Sequence, residues 1–156
     1  MASVEATVEI AASLAETWDH YFDARGWPAW VDGFSSVATS SNYPEAGGSL
    51  SWRSGASGRG VVDERVLEHQ PRRLHRISFR DPASEGELET TFQIKGQGTE
   101  VSCKLDYRLT GRGPFDRLAA IFFVKGQFKI SLERSLFAFK HEVEELAAYN
   151  AGVSQT

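Results

Sequence analysis

IFFVKGQFKISLERSLF, residues 121–137, decides how the rest of the sequence is read. At ~100° per residue, Leu118, Ile121, Val124, Phe128, Leu132, Leu136, Phe139, Val143 and Leu146 fall on one stripe, the mark of a long helix docked along one side. Phe123, Ile130 and Phe137 lie seven apart on the opposite side, where a helix facing water is polar. Gly126 sits among them, permitting close packing or a local bend at a cost of ~1 kcal/mol relative to alanine. Three large apolar side chains on that face call for cover: a loop after Phe34, a second copy of the chain, or a membrane or delivering partner. Homodimerisation through Phe123, Ile130 and Phe137 is therefore one expectation.

Upstream of that helix the period of the apolar pattern is two. Val4, Ala6, Val8 and Ile10 alternate with polar residues as a half-buried strand. Ser13-Leu14-Ala15-Glu16 is a capping box that starts a short helix over about residues 14–23. Trp27, Pro28, Trp30 and Phe34 suggest a second short helix or turn. Gly47-Gly48 then breaks the chain before a strand around Leu50 and Trp52. Further strands are expected near 60–68, 73–80, 87–95 and 100–109, punctuated by Pro71, Asp81-Pro82 and Gly96-Gln97-Gly98. Leu88, Thr90, Phe92 and Ile94 alternate, as do Val101, Cys103, Leu105, Tyr107 and Leu109. Gly113-Pro114, with Asp116 in the first turn, opens the long helix, which runs to about Tyr149. Residues 1–149 read as one domain and 150–156 as a frayed tail. An antiparallel sheet with a single long helix to cover it curls around that helix.

The chain has 156 residues, enough for one domain with a real core, and a net charge of −4 that argues against broad nucleic-acid binding. The single cysteine, Cys103, excludes an intrachain disulfide and any multi-cysteine metal site. MASVEATVEI has no basic flank or apolar core of signal-peptide length, and no glycine follows its methionine. The longest apolar run, Leu118 to Val124, is far short of the ~20 residues that span a bilayer. A cytoplasmic protein with no integral membrane segment is the expectation.

Several motifs in order resemble the START/SRPBCC superfamily, and most of all its polyketide cyclase/dehydrase-like branch. They are the opening VEATVEIAASLAETWDHYFD, Trp27-Pro28-Ala29-Trp30, Gly47-Gly48-Ser49, Val66 through Pro71-Arg72-Arg73-Leu74, and Gly98-Thr99-Glu100-Val101. The resemblance covers about residues 3–147 and departs at Ala11-Ala12, where members often carry a proline. It implies an α+β helix-grip fold: a curved antiparallel sheet of about six to seven strands wrapped around one long C-terminal helix, with two short helices after the first strand. It also implies a deep apolar cavity between sheet and helix. Members bind lipids, sterols, polyketides, quinones or hormones there, and a minority catalyse cyclisation or dehydration. The family shares no universal catalytic residue, so a reaction cannot be carried over from the fold.

Candidate ligand-binding residues follow from the inward faces. His75 alternates with Ile77 and Phe79, so it points to the concave side, where it meets a ligand or forms a core imidazole bonded to a backbone carbonyl. Tyr107, Phe92 and Cys103 share an inward face. Tyr107 offers its hydroxyl to a ligand or packs as an amphipathic core residue, and Cys103 suits a small core position. Trp30 and Trp52 are cavity walls or plain packing; Phe122 and Phe128 face the cavity from the helix, with Gln127 a further polar candidate. Arg76 and Arg80 on an outward face pair with Glu64, Glu68, Glu87 and Glu89, or hold an anionic group at the rim. The four histidines lack metal-ligand spacing, and no nucleophile motif occurs, so neither metal nor cofactor is expected. The function expected is binding of a small hydrophobic ligand: a lipid, a polyketide, or another aromatic or isoprenoid molecule. The alternatives are an aromatase/cyclase-type enzyme working without metal, or a chaperone-like partner module.

Overall fold

The computed structural model describes residues 1–56, 58–110 and 117–154, without the side chains of 117–123 and 154. Expectations for Gly113, Pro114 and Asp116, and for the side chains of Leu118, Ile121, Phe122 and Phe123, lie outside the described residues. The elements in order are β1 (Ala2–Ile10), α1 (Leu14–Tyr21), a 3-10 turn (Ala24–Gly26), α2 (Trp27–Trp30), β2 (Phe34–Ser41) and β3 (Ser49–Ser54). They continue with β4 (Val61–Gln70), β5 (Leu74–Arg80), β6 (Ser84–Lys95), β7 (Gly98–Leu109) and the long α3 (Arg117–Ser154). All seven strands form one antiparallel sheet in the order β1-β7-β6-β5-β4-β3-β2. This is the α+β helix-grip arrangement.

The alternation along β7 buries Val101, Cys103, Leu105 and Tyr107 on the concave side, and α3 sends Leu136, Phe139 and Val143 to meet that side. One end of the space between them is filled with rings. Trp18 from α1 packs edge-on to Phe92 at 4.9 Å, Tyr21 does so at 5.3 Å, and Trp30 stacks on Phe139 at 4.7 Å. The capping box forms as the sequence predicts: Glu16 N donates to Ser13 Oγ, and Ser13 N donates to Glu16 Oε2, each at 3.1 Å. Gly86 in β6 is obligatory, since a Cβ there would lie 1.9 Å from the Asp106 carbonyl oxygen of β7.

Three sequence expectations need correction. FSSVATSS is a strand, β2, although its residues are mostly exposed and its pairing with β3 shifts register twice. An edge strand that buries little has no reason to alternate, so its period-2 signal is missing. The helix α3 runs to Ser154, beyond the expected end near Tyr149. Gly126 is exposed, and a Cβ on it would meet nothing within 4 Å, so close packing is not its reason for being there.

The other sheet edge, β1, is guarded by α3. Lys129 Nζ donates to the Glu5 carbonyl and Lys140 Nζ to the Glu9 carbonyl, the second at 2.6 Å. Lysines along an edge discourage pairing with another strand. Beside them Ile130 and Phe137 border a shallow groove with Ala6, Thr7 and Val8, and remain 45% and 69% exposed. The segment after Phe34, one expected cover for this face, is instead β2 at the opposite edge of the sheet. Among the described residues no helix is long and apolar enough to cross a membrane.

Two substitutions test this part of the fold. Gly126→Ala should raise stability by ~0.5–1 kcal/mol, because alanine costs less backbone entropy in a helix and meets no neighbour; a chemical denaturation midpoint measures it. Ile130→Glu should leave the dilute monomer within ~0.5 kcal/mol of wild type, as exposed sites do. If a second copy covers the face, the wild-type melting temperature rises over a hundredfold concentration range and that of Ile130→Glu does not, with sedimentation reporting the dimer.

Candidate functional site

Between α2, the middle strands and α3 lies a cavity of about 160 Å³. Its walls are largely aromatic: Tyr21, Trp27, Trp30, Phe34, Tyr43, Trp52 and Phe128, with Leu50, Ile77, Leu88, Leu105, Leu132 and Leu136 between them. The short helix α2 exists to place two of these, with Pro28 in its first turn and the Trp27 indole N–H held by the Tyr21 carbonyl at 2.8 Å. At the rim Asp32 is tied to α3: Ser131 Oγ donates to Asp32 Oδ2 at 2.8 Å, and Asp32 N donates to Ser135 Oγ at 2.9 Å.

Of the residues singled out from sequence, Trp30, Trp52, His75, Ile77, Cys103 and Phe128 line this cavity together. Phe79, Phe92 and Tyr107 are buried on the concave side but do not border it. The Arg59 guanidinium covers Phe79 at 4.8 Å, and Trp18 and Tyr21 cover Phe92. Tyr107 packs on Phe128 at 4.6 Å, and its hydroxyl is buried without a hydrogen-bond partner among the described residues. Phe122 lies outside the described side chains, and Gln127 is exposed rather than inward. Arg76 pairs with Glu68 at 3.5 Å as expected, whereas Arg80 pairs with Glu85 at 2.8 Å, a residue outside the expected set.

Glu64 does not join those outward pairs. It sits in β4 between Val62 and Val66, opposite Phe79 in β5, and therefore points inward. Its Oε1 accepts a 2.8 Å hydrogen bond from Trp52 Nε1. Burial pushes this carboxyl up to about 7, opposed by the Trp52 hydrogen bond and the Arg59 charge. Arg59 reaches the cavity from the loop between β3 and β4, and its Nε donates to Asp81 at 2.7 Å. Burial raises the Asp81 carboxyl, but the Arg59 charge and hydrogen bonds from Ala83, Ser84 and Arg59 outweigh it and hold the group below its ordinary value.

His75 is buried and bonded, though to side chains rather than to a carbonyl. Its Nδ1 lies 3.0 Å from His69 Nδ1, so one ring donates to the other, and its Nε2 lies 3.4 Å from the Tyr43 hydroxyl. Burial, then the neighbouring His69, push it down to about 3, which leaves the imidazole neutral. The Cys103 thiol, pushed up by burial to about 11, stays a thiol beside Thr90 at 3.5 Å. Among the described residues no group of three or more His, Cys, Asp or Glu is placed to hold a metal ion.

Over residues 1–144 the sequence matches the family described as polyketide cyclase/dehydrase and lipid transport. The chain belongs to that family. No curated protein matches the sequence. Similar solved structures agree on the fold. TTHA0849 from Thermus thermophilus is 21% identical with a TM-score of 0.74, covering 94% of this chain and 99% of its own. A START superfamily protein from Mycobacterium smegmatis is 19% identical with a TM-score of 0.73, covering 92% and 98%. The Zhui aromatase/cyclase from a Streptomyces species is 17% identical with a TM-score of 0.68, covering 92% and 93%.

Within this chain, Glu64 and His75 give opposite pH dependences of stability. The unfolded chain protonates His75 near its ordinary 6.5 and the folded chain only near 3, so stability from His75 is present above 6.5 and lost as pH falls toward 3. Unfolded Glu64 ionises near 4.5 and folded Glu64 near 7, so stability is lost as pH rises through that window. The stability of Glu64→Gln relative to wild type should therefore grow from pH 4.5 to 7, by at most ~1.4 kcal/mol per pH unit. That of His75→Gln relative to wild type should grow as pH falls from 6.5. Denaturant melts across pH 4–8 measure both.

Proposed function

We propose that the chain binds a small hydrophobic molecule in the cavity between sheet and α3. The observation that carries this reading is an aromatic-walled space in the core whose few polar groups, Glu64, Arg59, Tyr43 and His75, gather among apolar walls. Ligand sites have this character: mostly apolar surface for affinity and a few placed polar groups for orientation. The family's description, which includes lipid transport, supports it. Within the reading, Trp30, Trp52, His75, Ile77, Cys103 and Phe128 touch the ligand. A second copy of the chain is the partner proposed for the face carrying Ile130 and Phe137.

A second reading, a cyclase- or dehydratase-type enzyme, is favoured by Glu64. A carboxyl pushed up to about 7 inside an apolar cavity is poised to give and take protons near neutral pH. Native mass spectrometry of protein purified from its own source separates the two. A retained molecule that loses one water on incubation with wild type, but not with Glu64→Gln, supports the enzyme.

The binding reading is tested with N-phenyl-1-naphthylamine, a neutral apolar fluorophore. Saturable uptake by the folded chain is expected, with Leu132→Arg reducing affinity at least tenfold while circular dichroism stays native. Well-folded wild type that takes up no probe would reject the proposal.

A further inference from the structure

The size and charge of the cavity narrow the ligand class. A cavity of ~150 Å³ walled by apolar side chains takes up a molecule the size of benzene, and this one measures about 160 Å³. One ring, or two fused rings with slight widening, fits within it, and the rest of a larger molecule would lie in its open mouth.

Charge decides what the ring carries. Arg59 and Asp81 form an ion pair at 2.7 Å, so the guanidinium offers donors but little net positive charge. Asp32 at the rim adds only negative charge, and Glu64 within adds no positive charge in either protonation state. An anionic ligand would lose its hydration and gain no unneutralised cation in return.

Donors, by contrast, are in excess. Arg59 Nη2 and Trp30 Nε1 are buried without hydrogen-bond partners among the described residues, and both residues line the cavity. Glu64 accepts from Trp52 through Oε1. Protonated, Glu64 becomes a further donor. Arg59 and Glu64 both line the cavity. Buried N–H groups without partners are costly, and a ligand oxygen that accepts from them relieves the cost.

We propose that the occupant is a neutral aromatic molecule of one or two rings, whose ring-attached carbonyl oxygen accepts hydrogen bonds from Glu64 and Arg59. This rests on the cavity being the ligand site.

The test is calorimetric titration of the full chain at pH 6 with three matched probes: acetophenone, ethylbenzene and benzoate. Acetophenone should bind at least tenfold more tightly than ethylbenzene, and benzoate most weakly. Glu64→Leu should bring the acetophenone-to-ethylbenzene ratio close to one. Glu64→Gln, whose amide N–H still donates, should keep most of the preference, and it decides the matter if the leucine variant does not fold. Equal binding of acetophenone and ethylbenzene by wild type would overturn the polar subsite while leaving the cavity reading intact. Tightest binding of benzoate would overturn the neutral ligand. If none of the three binds while N-phenyl-1-naphthylamine does, the size class is wrong; if that probe fails as well, the cavity reading falls first.

Discussion

Seven antiparallel strands present one long concave face, and a single helix must cover it. That mismatch of areas governs the molecule. A helix presents an apolar stripe roughly three side chains wide, too narrow to meet every inward residue of β3 to β7 at once. Where α1 and α2 add Trp18, Tyr21 and Trp30, the gap closes into solid packing around Phe92 and Phe139. Where Phe128, Leu132 and Leu136 of α3 face the middle strands beside Trp27 and Trp30, it stays open. The cavity is thus a consequence of how many elements cover the sheet, with no cluster of special residues needed to hold it apart.

The polar groups inside make sense on the same terms. A carboxyl on an inward position of β4 would be a heavy burden in solid packing, but beside open space it needs only one donor, and Trp52 provides it. His75 is treated in the opposite way. Phe22 packs edge-on against it at 4.9 Å, His69 and Tyr43 occupy its nitrogens, and it remains a neutral ring in the wall. Between about pH 3 and 7 two titratable residues on adjacent strands are thereby largely neutral, Glu64 by protonation and His75 by failing to protonate.

The fold is legible in the sequence because burial leaves periodic marks. Val101, Cys103, Leu105 and Tyr107 alternate, and Leu136, Phe139 and Val143 recur at helical spacing, since each must reach the same core. β2 leaves no such mark, because most of its side chains face water. The site is legible only by face. Alternation assigns Phe79, Phe92 and Tyr107 correctly to the concave side, yet whether an inward residue meets open space depends on which neighbour lies over it. Glu64 is misplaced when its charge is weighed above its phase. Its position midway between Val62 and Val66 already puts it inside. Arg59 and Tyr43 come from loops, where no periodicity exists to carry the information.

The lysine contacts along β1 couple two hazards into one event. Lys129 and Lys140 stand eleven residues apart on α3 and hold Glu5 and Glu9 near the middle and the far end of the strand. The helix that closes the cavity is therefore also the shutter over the sheet's open side. Any excursion that lifts α3 exposes the interior and releases β1 as a template for strand addition at the same moment. Stability of that one docking thus sets how rarely the chain becomes aggregation-prone, independently of how well the sheet itself holds together.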